Sequence, residues 1–270
     1  VPRCANIQSI SDLGQTMTYK TNGHPLINYI LAWGVHAFTA SATFIGVLTL
    51  MQIYHHKFTH ALWLMGATVA IDALDGTLAR MVKVEKYTPT IDGALLDNIV
   101  DFLNYVVTPC FFLVVKQDML PTSLAIWVII GISITSSYQF CQTDAKTPDH
   151  FFKGFPCYWN FAVFYMYIFS TSMTVNAVIL MILCVLIFVP IKYVYPSRID
   201  YLTNSKHLKI LMHCCSALYG FSSILILLRF PEKEPLWLSI SFGYVLLYLF
   251  ISFYRTCSPL IMAKLHAIKD

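Results

Sequence analysis

Charge is what this chain has least of. Only 12% of its 270 residues are charged against 57% hydrophobic, and the mean hydropathy is +0.63. Soluble domains carry about a quarter charged residues, so a water-soluble globule is excluded. No polar stretch between the apolar runs is long enough for a separate soluble domain. The eight cysteines form no CxxC pair, and most lie in apolar runs where Cys packs as a small hydrophobe, which argues against a disulfide scaffold or a zinc site. A strongly basic patch is also missing. The net charge of +4 suits an anionic lipid surface rather than nucleic acid. There is no internal repeat, and nothing near the start reads as a cleavable signal.

What remains is a series of apolar runs, at about 25–53, 59–82, 93–116, 119–140, 157–173, 175–195, 207–229 and 235–254. Each approaches the roughly 20 residues that a helix needs to cross a bilayer. The expectation is an all-α polytopic membrane protein with about eight spans. Its organisation would be a polar or interfacial segment at 1–24, a membrane domain at 25–256 and a tail at 257–270. An even number of spans puts both termini on one side. With eight, 14 of the 18 Lys and Arg residues fall at the termini and even-numbered connections, leaving only Lys57, Lys116, Arg229 and Lys233 opposite. By the positive-inside bias both ends are cytoplasmic.

The 14 acidic residues are distributed unevenly. Four of them, Asp72, Asp75, Asp97 and Asp101, interrupt apolar helices, and the other ten fall in loops or tails. Carboxylates inside a membrane helix are costly and persist with a partner. Residues three or four apart share a helix face, so Asp72 projects with Asp75 and Asp97 with Asp101. Two such faces brought together form an oxygen cage suited to hard divalent ions, which would also relieve the repulsion among four carboxylates. The cytoplasmic ends of the second and third spans carry them. Small residues accompany the acids: Gly76, Ala79 and Gly93 keep the helix surface shallow, and Arg80 at the membrane boundary could hold a phosphate or pair with an aspartate. Glycine and alanine are also common packing residues in membrane helices.

The pattern Asp72-x2-Asp75-Gly76-x2-Ala79-Arg80 … Gly93-x3-Asp97-x3-Asp101 resembles the signature of the CDP-alcohol phosphatidyltransferases. The spacer of twelve residues between Arg80 and Gly93 is longer than in most of that family and is similar to the bacterial phosphatidylcholine synthases. Two later segments, Phe151-Phe152-Lys153-Gly154-Phe155-Pro156 running into Trp159-Asn160, and Pro190-Ile191-Lys192 followed by Tyr195-Pro196-Ser197-Arg198, also resemble that subfamily. The resemblance implies a bacterial inner-membrane enzyme that transfers the phosphatidyl group of CDP-diacylglycerol to choline, with the active site facing the cytoplasm. It implies two divalent ions, Mg²⁺ or Mn²⁺, held by Asp72, Asp75, Asp97 and Asp101, with Asp101 also the general base. Gly76, Ala79 and Gly93 would border the cytidine, Arg80 would orient the acids or the diphosphate, and Lys192 and Arg198 could hold lipid phosphate. A homodimer is implied as well.

Choline, a quaternary ammonium, is recognised by aromatic faces. The segment Asp149-His150-Phe151-Phe152 … Tyr158-Trp159-Asn160 offers that chemistry, and Trp159 and Tyr105 are the expected choline contacts. An anionic acceptor would want clustered Arg and Lys, whereas Lys146 and Lys153 are balanced here by Asp144 and Asp149. Other acceptors such as serine, inositol or glycerol phosphate stay open. So, more distantly, do an intramembrane prenyltransferase, whose two aspartate motifs usually lie far apart, and a cation transporter, whose ion site usually lies near the midplane.

Overall fold

The structure, a computed structural model, describes residues 25–147, 149, 151–195, 203 and 205–267. The all-helical expectation holds, and the elements follow the apolar runs. Helix α1 (Pro25–Tyr54) turns at His55–Lys57 into α2 (Phe58–Val82), and the two pack along their length. Lys83, in left-handed conformation, ends α2, and its N–H returns to the Arg80 carbonyl. A one-turn helix, α3 (Val84–Tyr87), occupies the spacer. Asp92 then caps α4 (Gly93–Asp101) by accepting the Leu95 N–H at 3.0 Å, satisfying one of the donors a helix start leaves unpaired.

The third apolar run is one helix with a wider stretch inside it. After α4 come a π-helical segment (Phe102–Val107) and α5 (Thr108–Val115), together Gly93–Val115. The π turn is held by Thr108, whose hydroxyl donates to the Leu103 carbonyl, and by Asn104, whose amide donates to the carbonyls of Val100 and Ala42. Gly46 on α1 makes room for it, since a Cβ there would lie 2.5 Å from Asn104 Oδ1. Helix α6 (Thr122–Cys141) completes the first half.

The fifth and sixth runs depart from expectation. They form α7 (Trp159–Phe169) and α8 (Met173–Leu186), of 11 and 14 residues, shorter than a lone span needs. The sixth run was expected to stay helical to 195. Instead α8 ends before Pro190, which cannot donate to a helix, and Lys192–Val194 form a strand, β2, antiparallel to β1 (Phe151–Lys153). The strands fasten the entrance of α7 to the exit of α8. At the other end, Tyr167 reaches Phe58 (ring centroids 6.3 Å apart) and Ser170 accepts from Lys233 at 3.0 Å, so the α7–α8 turn meets the α1–α2 and α9–α10 turns. Helices α9 (Lys206–Arg229) and α10 (Pro235–Ala267) form the outer pair, α10 running helical past the boundary expected at 256. Among the described residues six helices are long and apolar enough to cross a membrane, and α7 and α8 are shorter apolar helices. The main core lies where α5, α6, α7 and α8 meet, around Phe112, Ile132, Trp159 and Leu180.

Candidate active site

Three of the four intramembrane aspartates converge. One carboxylate oxygen from each of Asp72, Asp97 and Asp101 lies within 4.8 Å of the other two, and all three residues are half-buried. Asp97 and Asp101 come from successive turns of α4 and Asp72 from the facing side of α2. Tyr105, placed by the π segment, donates its hydroxyl to Asp72 Oδ2 at 2.7 Å and holds that carboxylate in orientation. Asp75 is buried and is not one of the three whose oxygens gather within 4.8 Å, but its charge still bears on all three. It lies near Thr39 on α1, with the Arg80 charge also nearby. An all-oxygen donor set, gathered this closely in a half-buried setting, fits a hard divalent cation. Without a cation the same three charges repel.

One ammonium bears on all three converging acids. Lys146, in the loop between α6 and β1, interacts electrostatically with Asp72, Asp97 and Asp101. The charge balance read along the chain paired this loop differently from the fold. Asp144 bonds Lys153 at 2.5 Å and Asp149 bonds Lys192 at 2.6 Å, the two lysines being register partners in the β1–β2 ladder. Lys146 instead lies over the ring of Tyr195, 5.6 Å from its centroid. Linear spacing holds no signal for this exchange of partners; it follows from the Lys146–Phe152 bridge within the loop and from β1 and β2 lying side by side.

The remaining sequence-named residues divide between the site's rim and its scaffold. At Gly76 a Cβ would meet only Arg80 Nη1, at 3.3 Å, so the helix surface there is open but for that side chain. Arg80 is exposed and donates to Thr77 Oγ1 at 3.0 Å. Ala79 packs toward α1 beside Ala32 and Val35. Gly93 sits beneath the His36 ring, where a Cβ would come within 3.3 Å, and His36 in turn shares a 2.9 Å hydrogen bond with Thr88. Lys192 is tied to Asp149 on the strand clasp. Arg198 lies outside the described residues. Trp159 is fully buried and donates its indole N–H to Ser136 Oγ at 2.8 Å, with Phe155 packed edge-on against it. The neighbouring Tyr158 is the residue that faces the site, its ring 6.0 Å from that of Tyr105.

The fold thus brings both halves of the aspartate motif, from the second and third apolar helices, into one site. The family model for CDP-alcohol phosphatidyltransferases matches residues 35–190, and the chain belongs to that family. Its relatives include the phosphatidylcholine synthase of Legionella pneumophila, 65% identical over 90% of this chain and 95% of the relative. The chain is also similar to the phosphatidylcholine synthase of Borreliella burgdorferi, 41% identical over 64% of this chain and 73% of the relative. That of Pseudomonas aeruginosa is 31% identical over 80% of this chain and 88% of the relative.

Proposed function

We propose that this chain is the enzyme that transfers the phosphatidyl group of CDP-diacylglycerol to choline, yielding phosphatidylcholine and CMP. The Asp72–Asp97–Asp101 convergence supports the reaction, and the 65% identity to a phosphatidylcholine synthase over nearly the whole chain supports the acceptor. Asp72, Asp97 and Asp101 would hold divalent metal, with Asp75 one turn away completing the acidic set; two ions, Mg²⁺ or Mn²⁺, would neutralise the diphosphate and polarise the attacked phosphorus. Asp101 takes the proton from the choline hydroxyl. The choline oxygen bonds to the phosphorus of the phosphatidyl group as the bond from that phosphorus to the CMP oxygen breaks, and CMP leaves with the electron pair. Tyr105 keeps Asp72 oriented while charge redistributes. Arg80, beside the open surface at Gly76, lies where the diphosphate or cytidine would enter, bordered by Ala79 and Gly93; Lys192 and Arg198 are the further phosphate contacts.

The charge asymmetry of the connections supports a cytoplasmic site in the bacterial inner membrane, with acyl chains entering laterally and choline from water. The homodimer stays part of the proposal. An acceptor panel tests the whole reading. Purified protein in lipid micelles with CDP-diacylglycerol and Mn²⁺ is offered choline, serine, inositol, glycerol 3-phosphate or ethanolamine, and CMP release is followed. Release with choline alone is expected. Release with a different acceptor would overturn the choline assignment and leave the family chemistry standing.

A further inference from the structure

Choline carries its hydroxyl and its quaternary nitrogen only two carbons apart, so an acceptor oxygen at Asp101 forces the cation to bind next to Asp101. The wall there is aromatic. Tyr158 interacts electrostatically with Asp72 and Asp101 and stands 6.0 Å from Tyr105. Phe152 on β1 meets Tyr158 edge-on at 6.4 Å and Tyr195 at 4.5 Å. Tyr158, Phe152 and Tyr195 are each half-buried, so they are neither sealed in the core nor spread on the surface. Three elements supply them: β1, the entrance of α7 and the residue following β2. The strand clasp is what brings them together. Trp159, with no exposed surface, is left out of this wall.

The wall also has a cation on it already. The Lys146 ammonium lies 5.6 Å from the centroid of Tyr195, within the range at which a cation is attracted to a ring face. Its backbone is strapped to the same strand, opposite Phe152, and the flanking Thr147 N–H donates to the Phe151 carbonyl at 2.8 Å. The nearby carboxylates Asp144 and Asp149 are engaged by Lys153 and Lys192. Lys146 is therefore the cation of this loop that both the ring and the acid cluster attract.

Resting on the choline reading above, we propose that Phe152, Tyr158 and Tyr195 form the seat for the acceptor's trimethylammonium group, and that Lys146 holds this seat until the acceptor displaces it. Tyr105 borders the seat, its hydroxyl committed to Asp72. Displacement leaves the Lys146 charge tethered beside the acid cluster, where the diphosphate is bound. The seat selects by shape and charge, since a bulky, weakly hydrated cation gains more from an aromatic wall than a primary ammonium does, which keeps its hydrogen bonds to water.

The test is steady-state kinetics of CMP release, with the KM for choline and for CDP-diacylglycerol measured separately. Thermal protection by CMP and Mn²⁺ reports that each variant is folded with its metal site intact. Tyr195→Leu is expected to raise the choline KM by about ten-fold or more with the lipid KM unchanged, and Tyr195→Phe, which keeps the ring, to stay within about three-fold. Phe152→Leu repeats the test on another element, so one misfolded variant does not leave it open. Lys146→Met is expected to lower the choline KM several-fold by vacating the seat. An unchanged choline KM in both leucine variants, or a parallel rise in both KM values, would overturn the seat, and an unchanged or higher choline KM in Lys146→Met would overturn its prior occupation. Wild-type protein that releases CMP only with a different acceptor would mark failure of the underlying choline reading instead.

Discussion

Asp97, Asp101 and Asp72 stand close enough to share one cation, so removing any single carboxylate changes both the ligand set and the repulsion among those left. Asp97→Asn is expected to abolish activity together with thermal protection by CMP and Mn²⁺. Asp101→Asn is expected to abolish turnover while CDP-diacylglycerol still binds, as measured by displacement of a labelled nucleotide lipid; near-normal turnover would remove Asp101 from the role of base. Tyr105 offers a finer distinction. Its hydroxyl is spent on Asp72, so Tyr105→Phe removes one hydrogen bond to a charged group, worth about 1.5–3 kcal/mol, and leaves the ring. The Mn²⁺ concentration for half-activation should rise by about ten- to a hundred-fold with the choline KM little changed. A change confined to the choline KM would make Tyr105 an acceptor contact rather than a positioning residue.

The strand clasp decides at the level of elements whether the site exists. Gly154, directly after β1, adopts φ +80°, and a Cβ there would fall on the Ile187 carbonyl at the exit of α8. Its own N–H donates to Ile191 O at 3.0 Å, and Phe155 N–H to Leu186 O at 3.0 Å. Gly154→Ala therefore meets both an unfavourable backbone conformation, costing about 1–3 kcal/mol, and a backbone clash. It should lower the unfolding temperature by several degrees and raise the choline KM more than the lipid KM, because β1 and β2 carry the acceptor wall while α2 and α4 carry the acids. Equal loss of both would mean that the clasp serves stability alone. The flanking ion pairs respond to pH in a defined direction. The Asp144 carboxyl is held below its usual range by its hydrogen bond to Lys153. Burial pulls Asp149 upward, but its bonds to Lys192 and Thr147 outweigh that and lower it. Depressed carboxyls contribute their stability above the ordinary value of 3.8 and lose it as pH falls through the lowered one. Amide protection of the clasp should thus stay constant between about pH 5 and 8 by hydrogen exchange.

For the whole molecule, the decisive property is sidedness. The α7–α8 pair leaves and returns at one end of the bundle, so it changes the number of spans without changing which side the termini occupy. Single-cysteine variants in intact cells provide the measurement. A cysteine placed at Asp118, in the exposed α5–α6 connection, should react with an impermeant maleimide from outside, whereas the native, exposed Cys141 at the far end of α6 should react only after the membrane is opened. The reverse labelling would put the aspartates on the outer face, away from cytoplasmic CDP-lipid.

Much of this protein was legible along the chain because its elements are short-range consequences of composition. Apolar runs of about 20 residues must become helices in a bilayer, where backbone polar groups can be satisfied only internally. The three- and four-residue spacings of Asp72, Asp75, Asp97 and Asp101 then assign those carboxylates to helix faces, and with Gly76, Ala79, Arg80 and Gly93 they mark the family. Contacts between distant segments were decided only by tertiary packing. The strand pairing of 151–153 with 192–194 follows the end of the sixth helix and brings Lys192 to Asp149 and Tyr195 beside Phe152 and Lys146. The Lys146–Phe152 bridge folds Asp144 back to Lys153, and packing against Ser136 buries Trp159 and leaves Tyr158 near Tyr105. Which three of the four carboxylates gather within 4.8 Å was likewise decided by how α2 meets α4. Helix faces repeat every few residues and can be read locally, whereas a partner on another element or across a loop depends on how the bundle closes.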